Sequence, residues 1–249
     1  MLSKRLIAST LCGLLVLSAN ALAHELELTG VVRDFKRGDR TGGHPDFETA
    51  QTVAGHGKYG LVYGLVTFDL TEDGKPTYNP VRPSNDTIWS EESFNQWYRD
   101  VPGVNLSTPY TVKLSNGSDS VGGIYSYSNN RFFPIDGQFF GNEGCKDNSG
   151  KERNFHFTFE LRNSFNYRAG QRFTFIGDDD VWVYINGKKV IDIGGVHSAS
   201  TASVLLFDGK AFVAKAQFPV GGIVKSVTSQ QATQLGTQFA LLGSGYLPG

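Results

Sequence analysis

Gly177-Asp178-Asp179-Asp180-Val181-Trp182-Val183-Tyr184-Ile185-Asn186-Gly187-Lys188-Lys189-Val190-Ile191-Asp192 is the stretch that decides the fold class of this chain. Asn186-Gly187 between two apolar runs is a hairpin signal, because a type I′ turn needs positive φ at both central residues. Such a two-residue loop predicts a register. Ile185 falls opposite Lys188, Tyr184 opposite Lys189, Val183 opposite Val190, Trp182 opposite Ile191 and Val181 opposite Asp192. Side chains directly opposite share a face. One face then carries Val181, Val183 and Val190, and the other carries Trp182, Tyr184 and Ile191. Both are apolar, so the hairpin is expected to be central to a sheet that is covered on both sides.

Upstream, Phe155-His156-Phe157-Thr158-Phe159-Glu160-Leu161 alternates apolar and polar residues without a break, the period-two signature of a half-buried strand. His156 and Glu160 share its polar face. Together they could hold a metal, but a solvated face is the expectation. Further strands are expected at Leu26 to Phe35, Leu61 to Leu70, Tyr110 to Leu114, Gly123 to Tyr127 and Phe132 to Ile135. One short helix is expected at Ser90 to Arg99. Ser90 caps it, Glu91 and Glu92 suit its positive end, and Phe94, Trp97 and Tyr98 share a face. The fold class is therefore all-β, an antiparallel β-sandwich with one short helix.

The ends and the composition narrow the function. Lys4 and Arg5, the apolar run Leu6 to Leu17, and Ala21-Leu22-Ala23 form a cleavable secretory signal over residues 1–23. Residues 24–249 are expected to form one secreted or cell-surface domain without a membrane span. The 23 basic side chains nearly balance the 24 acidic ones, with no basic stripe, which argues against nucleic acid as a partner. Signal cleavage removes Cys12 and leaves Cys145 alone in a polar loop. It is expected to be a tolerated surface cysteine, with a free thiol or an intermolecular bridge both open.

The hairpin register also gathers Asp178, Asp179, Asp180 and Asp192 at its open end. Like charges this close repel, so a cation, raised pKa values or free access to water must offset them. Ca²⁺ is the natural candidate, since it takes six to eight oxygen ligands in irregular geometry. A solvated acidic loop without an ion is the alternative.

The same residues carry a resemblance. Gly177 to Lys188, followed by Val190, Asp192 and Gly194-Gly195-Val196-His197, resembles the signature of the fibro-slime domain family. The segments Leu28 to Phe35, His44-Pro45-Asp46-Phe47-Glu48, Phe94 to Asn105, Phe132 to Gly137 and Asn154 to Thr158 resemble it too, in family order. Fibro-slime domains are similar to the protective-antigen-type β-sandwich, which also forms the sugar-binding head of yeast flocculins. The resemblance implies a Ca²⁺-assisted glycan site in which Asp178 and Asp179, joined by a cis peptide, are the leading metal ligands. Asp180 and Asp192 complete the metal set, and Asp178, Asp179, Asn186 and His197 form the ligand-binding set. The family's closing Ala-Glu-Arg-His motif is missing. Residues 200–249 are therefore expected to be an insertion-like segment of a domain lacking its last strands.

The leading reading is an exported, non-catalytic binding module for carbohydrate or extracellular matrix. The alternative is a structural surface or matrix protein, partnered by other such proteins and without glycan affinity. Glycoside hydrolysis is remote, because it needs two carboxyls about 5–9.5 Å apart across a cleft, and adjacent aspartates on one strand suit that poorly. Trp89, Tyr125 and Tyr127 are candidate sugar platforms, although core packing is the expectation for each. The Gly55 to Gly60 dinucleotide-like spacing and the Arg37-Gly38-Asp39 tripeptide are set aside as chance. Asn85, Asn105 and Asn116 begin Asn-x-Ser/Thr sequons.

Overall fold

A computed structural model describes residues 25–48, 60–81, 88–116, 124–207, 210–214 and 237–244. Residues 1–23, expected to be a signal, Asn85 and most of the Gly55 to Gly60 spacing lie outside these residues. The strands are β1 (Glu25–Phe35), β2 (Asn105–Ser115), β3 (Phe157–Phe165), β4 (Gln171–Gly177), β5 (Val181–Ile185), β6 (Lys188–Ile193), β7 (Ser200–Phe207), β8 (Lys210–Ala214) and β9 (Thr237–Ser244); the one helix is α1 (Glu91–Asn95). All pairings between these strands are antiparallel. They form a six-stranded sheet in the order β2-β1-β3-β9-β5-β6 and a three-stranded sheet in the order β4-β7-β8.

The chain is all-β and antiparallel, as expected, and its two sheets share one core. Leu28, Val32, Phe157, Phe159, Leu161, Val183 and Ile191 from the large sheet pack in a single cluster with Phe173, Phe175, Ala202, Val204 and Leu206 from the small one. The opposite face of the large sheet is covered as well. Trp182 and Tyr184 project there into a second cluster with Phe35, Phe47, Leu65, Ile88, Phe94, Trp97 and Tyr98. A sheet covered on both sides explains why β5 reads apolar on both faces.

Ser90 caps α1 in an extended conformation, its hydroxyl accepting from Ser93 N while Ser93 Oγ accepts from Ser90 N. The helix is shorter than expected. Beyond Asn95 the chain continues as turns, and the Asn105 amide donates to the Gln96 and Arg99 carbonyls. Phe94, Trp97 and Tyr98 nevertheless all point into the second cluster.

Three strand expectations are corrected. Of the strand expected at Gly123 to Tyr127, residue 123 lies outside the described residues, and 124–127 make only the isolated bridge from Ser126 to Ser115. Residues 132–135 form turns, with Phe132 packed against the inter-sheet core and Ile135 within it. Residues 61–70 make only isolated bridges. The C-terminal segment, expected as an insertion-like tail, supplies β7, β8 and β9, and β9 lies between β3 and β5. No helix among the described residues is long and apolar enough to cross a membrane.

Candidate functional site

The Asn186-Gly187 turn forms as expected, with φ of 51° and 74°. Ile185 pairs with Lys188 and Tyr184 with Lys189. A β-bulge then shifts the register, so that Val183 faces Ile191, Trp182 faces Asp192 and Val181 faces Ile193. The expected pairing of Val181 with Asp192 is therefore wrong by one residue, for a physical reason. Without the bulge, Asp192 would point into the inter-sheet core. With it, Ile191 and Ile193 join that core, and Asp192 turns to the Trp182 face, where donors await it.

Those donors account for both carboxylate oxygens. Trp182 Nε1 donates to Asp192 Oδ1 at 3.1 Å, while Gly64 N and Lys189 Nζ donate to Oδ2 at 3.0 and 2.6 Å. Lys189 Nζ also donates to the Val66 carbonyl at 2.7 Å. Segment 60–70 runs antiparallel to β6, bonded through Val62 N to Gly194 O, Lys189 N to Phe68 O and Leu70 N to Gly187 O. Between those anchors residues 63–65 turn, and 65–67 pair with 77–79 through Val66–Tyr78, Thr67 N to Thr77 O and Asn79 N to Leu65 O. The Asp192 carboxylate and the Lys189 ammonium bond the Gly64 amide and the Val66 carbonyl of this stretch.

Asp178, Asp179 and Asp180 occupy the bend between β4 and β5. Asp178 is partly exposed, and Asp179 and Asp180 are buried. Asp179 is a non-glycine residue in the left-handed region, at φ 64°. No cis peptide occurs among the described residues, so the cis Asp178–Asp179 junction implied by the resemblance is not there. Asp180 Oδ1 accepts from Gly195 N at 2.6 Å, and Gly177 pairs with Ser200. These two ties hold the loop after β6, which carries His197, against the 178–180 bend. His197 is 2% exposed, and its Nδ1 meets the Ser198 carbonyl at 2.8 Å. A carbonyl only accepts, so Nδ1 is the donor in this contact.

The residues expected to bind Ca²⁺ do not assemble as one set. Asp192 already has a lysine counter-ion and two N–H donors, and Asp180 accepts from a backbone amide. Among the described residues, no group of three or more His, Cys, Asp or Glu side chains is placed to share an ion. Asn186 sits at the turn, the whole length of β5 away from Asp180, so it does not join the other candidates.

Sequence reasoning missed Asp46 as a neighbour of this bend. Its carboxylate accepts from Trp89 N at 2.6 Å and from Trp97 Nε1 at 2.8 Å. Burial pushes its pKa up to about 6 against those hydrogen bonds, and the nearby Asp180 charge adds to the rise. Trp89, tied to Asp46, is 46% exposed, whereas Tyr125 and Tyr127 pack against the inter-sheet core. The only sequence signal for Asp46 was the His44 to Glu48 motif.

The polar face of β3 is not solvated. His156 and Thr158 are 0% exposed and Glu160 is 4% exposed. Glu160 binds Arg33 Nη1 at 2.9 Å, Lys75 Nζ at 2.7 Å and Arg162 Nε at 2.7 Å. Burial acts to raise its pKa, but Lys75 and Arg162 outweigh that and hold it below the ordinary carboxylate value. Cys145 is a buried free thiol rather than a surface cysteine. Its sulfur lies 3.3 Å from His156 Nε2, and burial pushes its pKa up to about 11. Arg37 and Asp39 pair with each other at 2.9 Å, which turns the Arg-Gly-Asp tripeptide onto itself. The sequon residue Asn105 is buried and bonded on both amide atoms.

Among the proteins the chain is similar to are psiQ, psiR and psiD of Dictyostelium discoideum. It is 41% identical to protein psiQ over 154 residues, covering 59% of this chain and 15% of psiQ. It is 39% identical to protein psiR over 170 residues, covering 66% and 16%. It is 40% identical to protein psiD over 156 residues, covering 60% and 30%. The chain thus spans a third or less of the length of these relatives. No family model and no solved structure matches it.

Proposed function

We propose that this chain is an exported, non-catalytic binding module that holds carbohydrate or extracellular matrix at the end of the sheet formed by loops 178–180 and 194–199. The observation that carries this reading is Asp179, whose left-handed backbone is held between the partly exposed Asp178 and the anchored Asp180. Non-glycine residues in such conformations cost about 1–3 kcal/mol and cluster at ligand clamps and active sites. Acid–base hydrolysis is disfavoured, because Asp180 and Asp192 are committed to holding loops together. The fibro-slime resemblance and the signal-like residues 1–23 support an extracellular role.

A glycan array on the mature domain tests this reading, with Asp178→Ala as the control. Hits that disappear in the variant, at an unchanged melting temperature, support it. A folded protein without hits overturns it and leaves the second reading, a structural matrix component. The internally bonded Asp180 and Asp192 favour that second reading, since such bonds serve the fold without any ligand.

A further inference from the structure

We infer that the acidic hairpin of this chain is independent of cations, because the Lys189 ammonium fills the electrostatic role that a bound Ca²⁺ would otherwise play. Lys189 Nζ lies 2.6 Å from Asp192 Oδ2 and 2.7 Å from the Val66 carbonyl, with its side chain only 9% exposed. A carboxylate and a backbone carbonyl around one buried positive centre are the kinds of oxygen that Ca²⁺ selects. Here a covalently attached cation takes them, and it neutralises the one hairpin carboxylate that comes from β6.

The remaining Asp192 oxygen is filled by Trp182 Nε1, and Asp180 is drawn the other way, to Gly195 N. Recruiting both carboxylates to one ion would break the Lys189 pair and the Gly64 and Gly195 amide bonds. It would also bring a divalent cation close to a buried ammonium, which like-charge repulsion opposes. For Asp180 and Asp192 the like-charge problem is therefore answered by a lysine, an indole N–H and backbone N–H groups. For the binding role proposed above, on which this part of the inference rests, ligand capture at this end of the sheet withstands chelation.

The first test is the melting temperature of the mature domain in excess EDTA and in excess CaCl₂. The two values are expected to agree within about 1 °C. Saturating a Ca²⁺ site at about 100 times its Kd would raise the melting temperature of a domain this size by roughly 5–10 °C, and such a rise overturns the inference. Lys189→Met should lower the melting temperature. The double variant Lys189→Met/Asp192→Asn, which removes both charges, should recover part of the loss. A double variant no better than the sum of the single ones would show that no charge pairing was involved, and would also overturn it. Repeating the glycan array in EDTA separates this inference from the binding role. Hits that survive EDTA support both, and hits that need Ca²⁺ overturn only the cation independence. An array blank under both conditions overturns the binding role, and the melting comparison then decides the inference alone.

Discussion

Trp182 and Asp192 face each other across the β5–β6 pair, the indole N–H donating to the carboxylate at 3.1 Å with both residues buried. The bulge at Val190 creates this partnership. It places the buried carboxylate of β6 among three donors rather than in hydrocarbon. Removing the carboxylate leaves Lys189 as an uncompensated buried charge. Asp192→Ala should therefore cost about 3–5 kcal/mol in urea denaturation. A loss below about 1 kcal/mol would mean that the cluster is not formed in solution.

Gly195 and Gly187 both have positive φ, at 88° and 74°, yet they should respond differently to alanine. A Cβ on Gly195 would meet the Gly60 carbonyl oxygen at 2.6 Å, whereas nothing lies within 4 Å of one on Gly187. Gly187→Ala should cost about 1–2 kcal/mol for its backbone conformation alone. Gly195→Ala should cost about 2–4 kcal/mol, since overpacking adds to the same penalty. Equal losses would show that loop 194–199 does not press against residue 60.

The Cys145 thiol should resist labelling in the native protein. Its pKa of about 11 leaves roughly one thiolate in a thousand at pH 8, and the residue is only 8% exposed. Titration with a disulfide reagent should give no rapid phase in buffer and one full equivalent in denaturant. A rapid native phase would place Cys145 on the surface, as its polar sequence context suggested.

His44 supplies a pH dependence. Burial lowers its pKa from 6.5 to about 4, against the opposing bond to the Ser93 carbonyl. The unfolded chain thus binds the proton more readily between those two values. The contribution of neutral His44 to stability is present above pH 6.5 and is lost as pH falls toward 4, on the order of 3 kcal/mol. The carboxyl of Asp46 is shifted the opposite way, so the comparison must be between the parent and His44→Gln. The parent should lose more stability than the variant between pH 6.5 and 4. Parallel profiles would mean that His44 is already solvated.

The legible parts of this protein were the local ones. Alternation in Phe155 to Leu161, the positive-φ pair Asn186-Gly187 and the Ser90 cap each depend on neighbours a few residues away, and each formed as expected. The polar face of β3 was misread because period two reports that two faces differ, not what covers them. Thr158 is hidden under Trp97, whose carbonyl it bonds at 2.6 Å across 61 residues of chain. Cys145 was misread for the same reason, since its partner His156 lies beyond a loop of polar residues.

The sequence by itself determined the antiparallel all-β class, the site of the tight turn and the clustering of three aspartates before β5, because backbone sterics and side-chain period act over short distances. Only the tertiary structure decided which face of β6 Asp192 takes. A one-residue bulge moves every subsequent side chain to the opposite face, and the choice rests on where buried charge finds donors. Gly64, Val66 and Lys189 supply the bonds there, and no spacing in the sequence brings those three together. The fates of Asp180 and Asp192 divide on the same ground: Asp180 takes its amide donor from Gly195 in the next loop, while Asp192 adds to its local donors Trp182 and Lys189 the amide of Gly64, from a segment more than a hundred residues away.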